Sequence, residues 1–291
     1  MAKGRELKGR IKSVENTRKI TRTMEMVATS KMKRAADRVS AARPYALALG
    51  EVLSHVYTPE LAEQFPLLRR PAQIKRAALV VLTANRGLCG AFNTNLIRES
   101  RARLAEMEGK GVSVELHVVG RKGIGFYKYL GRSLASARSD IGDRPSSADA
   151  ASLIDDLMAR FAAGELDAVY ITYAKYKSAL STPPATEQVL PVVAPATASG
   201  ESATARDFIL APSAQEILEA LLPLYVRNTV YRALVETAAG EQGARRTAMK
   251  NATDNATEML QLLKRTYNSA RQAQITQEIA EIVGGASALQ G

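Results

Sequence analysis

Cys89 is the only thiol in the chain, and His55 and His117 are its only imidazoles. Nucleophilic or metal chemistry would have to be assembled from these three and nearby carboxylates. No histidine stands close to Cys89 in sequence to deprotonate it, so the thiol reads as a small packed residue. One cysteine rules out an internal disulfide and a cysteine zinc cluster. Two histidines far apart offer neither an acid/base pair nor a metal set, and no cofactor or metal is expected. Phosphate chemistry has two candidate loops. Arg86-Gly87-Leu88-Cys89-Gly90 follows one apolar run and precedes an amphipathic stretch, the placing in which helix amides can hold an anion. Gly120-Arg-Lys-Gly-Ile-Gly125 follows a second apolar run. Neither has the G-x-G-x-x-G or G-x-x-x-x-G-K-[ST] spacing. The first reads as a tight strand-to-helix turn, and the second lacks an acidic residue placed for a ribose. Catalysis is not expected of this chain.

The elements that would carry these loops alternate. Gln73–Thr83, Ser113–Gly120 and Ala168–Ala174 read as buried strands. Asn93–Glu108, Arg121–Leu130 and Ser146–Ala163 read as helices, the last begun by Pro145-Ser146. Strands alternating with helices predict a small Rossmann-like α/β domain with a mainly parallel sheet. Ser178–Ser202, rich in proline, reads as irregular or as an edge hairpin.

Outside that domain the period changes. Met249, Ala252, Ala256, Met259, Leu263, Thr266, Ala270, Ala273, Gln277 and Ala280 are spaced alternately three and four residues apart. This is a heptad seam, and its five alanines would let two helix backbones approach closely. A second series runs Ile20, Met24, Ala28, Met32, Ala35, Val39, Ala42, Ala46, Leu49, Leu53. Its four-residue steps between Ile20 and Met32 predict a local change of winding. Pro44 could kink this helix, and Thr58-Pro59 ends it. Ser213, with Glu216 three residues on, reads as the capping box that starts the C-terminal helix. The fold class is therefore α/β: an antiparallel coiled coil of long terminal helices with an inserted α/β domain. The expected divisions are a helix over 1–58, the inserted domain over 73–211 and a second helix over 212–291.

The net charge of +11 is concentrated at one end. Residues 1–45 hold thirteen Lys/Arg against four Asp/Glu, whereas residues 213–291 hold eight of each. A helix with a net +9 calls for an acidic partner: nucleic acid, lipid head groups or an acidic protein surface. It has no interleaved aromatic residues and no helix-turn-helix partner, so nucleic acid is not the expected one. The longest apolar run, Ala77–Leu82, is far too short to span a membrane. Met1–Arg22 is polar throughout and does not read as a secretory signal. Three readings follow from the residues: a structural shaft, a nucleotide-dependent enzyme built on the α/β domain, and a nucleic-acid binder using the basic helix.

Three stretches narrow the choice. Ile20-Thr-Arg-Thr-Met-Glu-Met-Val-Ala-Thr-Ser-Lys-Met32, Arg86–Gly90 and Tyr267-Asn-Ser-Ala-Arg-Gln-Ala-Gln-Ile-Thr-Gln-Glu-Ile-Ala-Glu-Ile-Val283 resemble the gamma subunits of bacterial and mitochondrial F-type ATP synthases, and the likeness covers essentially the whole chain. It implies a non-catalytic rotor shaft, one copy per complex, seated in a hexamer of alpha and beta subunits. It also implies that the α/β domain, with an epsilon subunit, forms a foot on the membrane c-ring, so that the chain meets the membrane only through the complex. By matching position, Met24 would pass the acidic loops of the beta subunits. Arg271, Gln272, Thr276 and Glu278 would contact the beta catch region and the opposing helix. The uncharged end Ile282–Gly291 would turn in an apolar sleeve. Ala211 stands where relatives often have a glutamate, and a chloroplast-type cysteine insertion is absent. Without a transit-type leader, the implied place is the cytoplasmic face of a bacterial inner membrane.

Overall fold

A computed structural model describes residues 2–56, 64–178, 181–193 and 213–289. Thr58-Pro59, Ala211 and the last two residues lie outside the described residues, as do the side chains of His55 and of 287–289. The order is α1 (Ala2–Val56), a 3-10 turn (Pro66–Leu68), β1 (Arg76–Leu82), α2 (Phe92–Gly109), β2 (Ser113–Val119), α3 (Arg121–Tyr129), β3 (Ser136–Arg138), α4 (Ser147–Ala162), β4 (Ala168–Ala174), β5 (Pro184–Leu190) and α5 (Ala214–Leu289). Pro44 lies inside α1 and Pro223 inside α5, and neither ends its helix. Two compact units result: residues 29–244, and residues 1–28 with 245–291.

The larger unit is built on a five-stranded sheet of order β3-β2-β1-β4-β5. The first four strands are parallel, and β5 returns antiparallel to β4. That return is the edge-hairpin alternative for the proline-rich stretch, and β3, only three residues long, is the strand the sequence did not disclose. Strands β1 and β4 are buried along nearly their whole length, because a parallel sheet is covered on both faces. The period of two sorts their side chains. Ala78, Val80, Leu82, Val169, Ile171 and Tyr173 face the cluster formed with Ile154, Leu157 and Phe161 of α4 and Leu218, Leu222 and Val226 of α5. Ala77, Leu79, Val81, Ala168 and Tyr170 face Leu104 and Met107 of α2 and Tyr127 of α3.

Local signals explain the joints. Ser146 accepts from the Asp149 amide, and Asp149 accepts from the Ser146 amide at 2.8 Å, a capping box that starts α4. Glu216 N–H donates to Ser213 Oγ at 3.2 Å before α5. Asp167 accepts from the amides of Lys75 and Arg76, at 2.8 and 2.9 Å, and so fixes the entry of β1 beside β4. Burial pushes its proton affinity up, but those two amides together with the charges of Arg76 and Arg69 outweigh it and hold the carboxyl below its ordinary range. Within this unit Ala35 and Val39 of α1 pack with Val235 and Ala239 of α5, small residues that bring two helices close.

Candidate functional site

In the smaller unit, α1 and α5 supply all the structure. The side chains that turn inward on α5 are Met249, Thr253, Ala256, Leu260, Leu263, Tyr267, Ala270 and Gln274, each buried or half-buried. Of the ten expected seam positions, four are correct (Met249, Ala256, Leu263, Ala270), four are displaced by one residue, and the last two, Gln277 and Ala280, are exposed. Met259 is 53% exposed, whereas Leu260 is buried. Thr253, buried at 8%, takes the place expected for Ala252. Its Oγ1 lies 2.8 Å from Thr21 Oγ1 and 2.8 Å from the Met249 carbonyl oxygen, so the hydroxyls satisfy one another across the helices. Preferring the apolar Ala252 to Thr253 set the wrong alternation, because hydroxyls bonded back to their own helix are tolerated in such a seam. The same error affects α1: Ile20 is 60% exposed and Thr21 is buried. With Thr21 and Glu25 included, a four-three alternation runs unbroken through Ala28, Met32, Ala35, Val39 and onward to Leu53, all buried or half-buried. No change of winding is required.

The residues matched to partner contacts fall into two groups. Arg271, Gln272, Thr276 and Glu278 lie within eight residues of α5 and are all exposed. The Thr276 hydroxyl donates to the Gln272 carbonyl at 3.0 Å, and Gln274 Nε2 donates to Glu278 Oε1 at 2.9 Å. Met24, half-buried, is on α1 three residues beyond Thr21 and hence beside the level of Thr253. At about 1.5 Å per residue, that level is roughly 27 Å along the helix from Arg271, so Met24 does not join the other four. Beyond Gln274 the helix is bare. Every side chain from Ile275 to Ala286 is exposed, including Ile279, Ile282 and Val283.

The two glycine loops stand at the carboxyl edge of the sheet. Leu88 and Gly90 adopt left-handed backbone angles, with φ of 62° and 57°, which turns the chain sharply from β1 into α2. Cys89 is buried and its sulfur accepts from Asn93 Nδ2 at 3.2 Å, while Asn93 Oδ1 accepts the Ala84 amide. This is the tight turn the residues suggested. In the second loop, the first amides of α3 are already taken. Arg121 N–H donates to Asn85 Oδ1, Lys122 N–H to the Ala84 carbonyl and Gly123 N–H to Thr83 Oγ1, at 3.0, 3.2 and 3.0 Å. A Cβ at Gly120, where φ is +98°, would sit 2.1 Å from the Thr83 carbonyl oxygen. These glycines exist for close packing, and the helix terminus has no free amides with which to cradle a phosphate. Among the described residues, no group of three or more His, Cys, Asp or Glu could hold a metal, and no helix is long and apolar enough to cross a membrane.

Two ionic clusters escaped the sequence reading, because charges on amphipathic elements read as solvated. Arg160 of α4 donates two hydrogen bonds to Glu115 of β2, at 2.9 and 2.7 Å, and holds that carboxyl below its ordinary range. Burial lowers the proton affinity of the neighbouring His117, and Glu115 offsets this only in part. On the other side, Glu236 of α5 is 7% exposed and accepts the Tyr176 amide at 2.8 Å. Burial raises its proton affinity in spite of that bond and of Arg232 nearby. Glu187 of β5 receives Lys175 Nζ at 2.8 Å. These contacts tie α5 to the edge of the sheet by polar bonds as well as by packing.

Comparison with known proteins agrees with this architecture. A family model described as ATP synthase matches residues 3–289. The ATP synthase gamma chain of Gemmatimonas aurantiaca is 79% identical over 291 residues, covering both chains completely. That of Leptospira biflexa is 45% identical over 289 residues, covering 99% of this chain and 100% of its own. Among solved structures, a chain of the central stalk and c-ring of the Tetrahymena thermophila mitochondrial ATP synthase superposes with a TM-score of 0.61. It has 26% identity and covers 80% of this chain and 99% of its own. A chain of the Euglena gracilis mitochondrial ATP synthase rotor shares the fold at a TM-score of 0.67 and 22% identity, covering 94% and 99%. With a full-length family match and a relative at 79% identity, the chain belongs to the ATP synthase gamma chain family.

Proposed function

We propose that the chain is the central rotor shaft of a proton-translocating F-type ATP synthase, passing torque between a membrane c-ring and a hexamer of alpha and beta subunits. The shaft is the pair of terminal helices, 1–58 and 212–291, and the foot is the α/β domain, 73–211. One copy serves each complex, an epsilon subunit shares the foot, and the assembly sits on the cytoplasmic face of a bacterial inner membrane. The chain carries out no chemistry of its own. The observation behind this reading is the bare end of α5. Ile275, Ile279, Ile282 and Val283 are exposed on a helix that ends without a covering element among the described residues. A run of exposed aliphatic residues on one helix marks a surface meant to be covered. A sleeve of surrounding subunits suits this end, with Arg271, Gln272, Thr276 and Glu278 at its mouth. Met24 and the basic residues near it then face the acidic loops of the beta subunits, lower down the shaft.

The test is a break in the shaft. Ala256 is a buried seam residue far from either end of α5. Proline there would remove a backbone bond and clash with the preceding turn, at a cost of roughly 3 kcal/mol or more. In membrane vesicles, Ala256→Pro should lower the ratio of proton pumping to ATP hydrolysis, or prevent assembly, whereas Ala256→Ser should preserve both. Normal assembly with a normal ratio in the proline variant would contradict a torque-bearing helix at this point.

A further inference from the structure

A cavity of about 600 Å³ opens at the carboxyl edge of the sheet in the larger unit. Leu82, Val119 and Ile141, all buried, give it an apolar floor. Six cations line it: Lys31, Arg34 and Arg38 from α1, Arg86 from the turn after β1, Arg121 at the start of α3, and Arg144 before α4. The carboxylates on the wall are Asp143 and Glu241. Asp143 is held by Lys31 at 2.6 Å, and Glu241 has a partner of its own. None of the five guanidiniums forms an ion pair or hydrogen bond among the described residues.

Five like charges around one concavity repel each other and focus a positive potential into it. That arrangement is relieved by an anion with several oxygens, and guanidinium forks match phosphate oxygens two at a time. One neutral side chain adds a donor to this lining. Gln242 is only 3% exposed and lines the cavity, and its side-chain amide has no hydrogen-bond partner among the described residues. That carboxamide can donate a hydrogen bond to an oxygen-bearing ligand in the cavity. The volume lies within the range of about 300–1,000 Å³ typical of small-molecule sites. Because the first amides of α3 are already occupied, side chains must do the binding.

We propose that this cavity binds a polyphosphate group, either as an inorganic chain or as the phosphates of a nucleoside di- or triphosphate. The apolar floor would accept a base in the second case. The proposal is separate from the shaft reading and survives or fails without it.

The experiment is calorimetric titration of the purified full chain at low salt with tripolyphosphate, ATP and adenosine. Tripolyphosphate should bind once per chain, weakening as salt is raised, and adenosine alone should not bind. The exposed pair Arg86→Gln with Arg121→Gln should weaken binding about tenfold or more. So should a second pair, Arg34→Gln with Arg144→Gln, while Lys33→Gln, outside the cavity, should leave it unchanged. Unaltered thermal unfolding would show that the variants are folded. Equal affinity for ATP and tripolyphosphate would assign the site to the phosphate chain alone, and tighter binding of ATP would assign it to a nucleotide. The proposal is overturned if neither ligand binds, if both double variants retain full affinity, or if a glutamate-rich peptide binds where tripolyphosphate does not.

Discussion

The unit of residues 29–244 buries its large side chains, while the unit of residues 1–28 and 245–291 leaves many of its own in water. In the first, Phe161, Tyr173, Leu79 and Ile171 are almost completely buried around a sheet covered on both faces. In the second, the buried positions are mostly small or polar (Ala28, Thr21, Thr253, Ala256), and Ile279 and Ile282 are exposed. Apolar burial contributes roughly 25 cal/mol per Å². The sheet-centred unit therefore derives its stability from its own core, whereas the helical ends gain little that way. A close pair of helices with an alanine- and threonine-lined seam is suited to resist bending and twisting, and its outer surface is left for partners.

This contrast can be broken in three places. Phe161→Ala would empty one of the largest fully buried side-chain sites, at about 3–5 kcal/mol, and thermal unfolding of the purified chain should show a large loss of stability. Survival of this variant with an unchanged midpoint would mean that the sheet core is not what holds the larger unit. Ile279→Ser with Ile282→Ser should leave that midpoint almost unmoved, since exposed substitutions usually stay within about 0.5 kcal/mol. The same pair should sharply lower recovery of the assembled complex. Normal recovery would show that the bare end of α5 needs no cover. The smallest effect is expected at Arg160→Met. Arg160 lowers the Glu115 pKa in the folded chain, so the stability this pair provides is fully present above the unfolded carboxyl pKa, near 4.5. It is lost as pH falls through the lower folded value. The stability difference between the two proteins should thus be seen at pH 7 and fade in acid. For a partly exposed pair it should be no more than about 1 kcal/mol, and a difference that grew on acidification would contradict the assignment.

The sequence disclosed elements whose signal is local and strong. The run RAALVVL, the AVYITYA strand and the Ser146 start of α4 all stand where expected. Arg86–Gly90 is the turn it resembled, because glycine and a left-handed Leu88 fit a sharp strand-to-helix reversal. What escaped depends on neighbours distant in the chain. The three-residue strand β3 has no pattern of its own and exists only beside β2. The seam register failed at Ala252, where Thr253, bonded to Thr21, takes the inward place, and at Met259, where Leu260 does. Gln242 and the five arginines of the cavity were invisible for the same reason: only the fold draws α1, the β1 turn and the loop before α4 around one space.

The central claim is that the chain turns inside its complex, and rotation tests it most directly. Tyr129, at the end of α3, is 86% exposed, so Tyr129→Cys gives a reactive handle while Cys89 stays buried. A bead attached there, on a complex whose alpha and beta subunits are fixed to a surface, should rotate in one direction while ATP is hydrolysed and stop when it is exhausted. Steady ATP hydrolysis by complexes whose beads never turn would show that this chain is not the moving shaft.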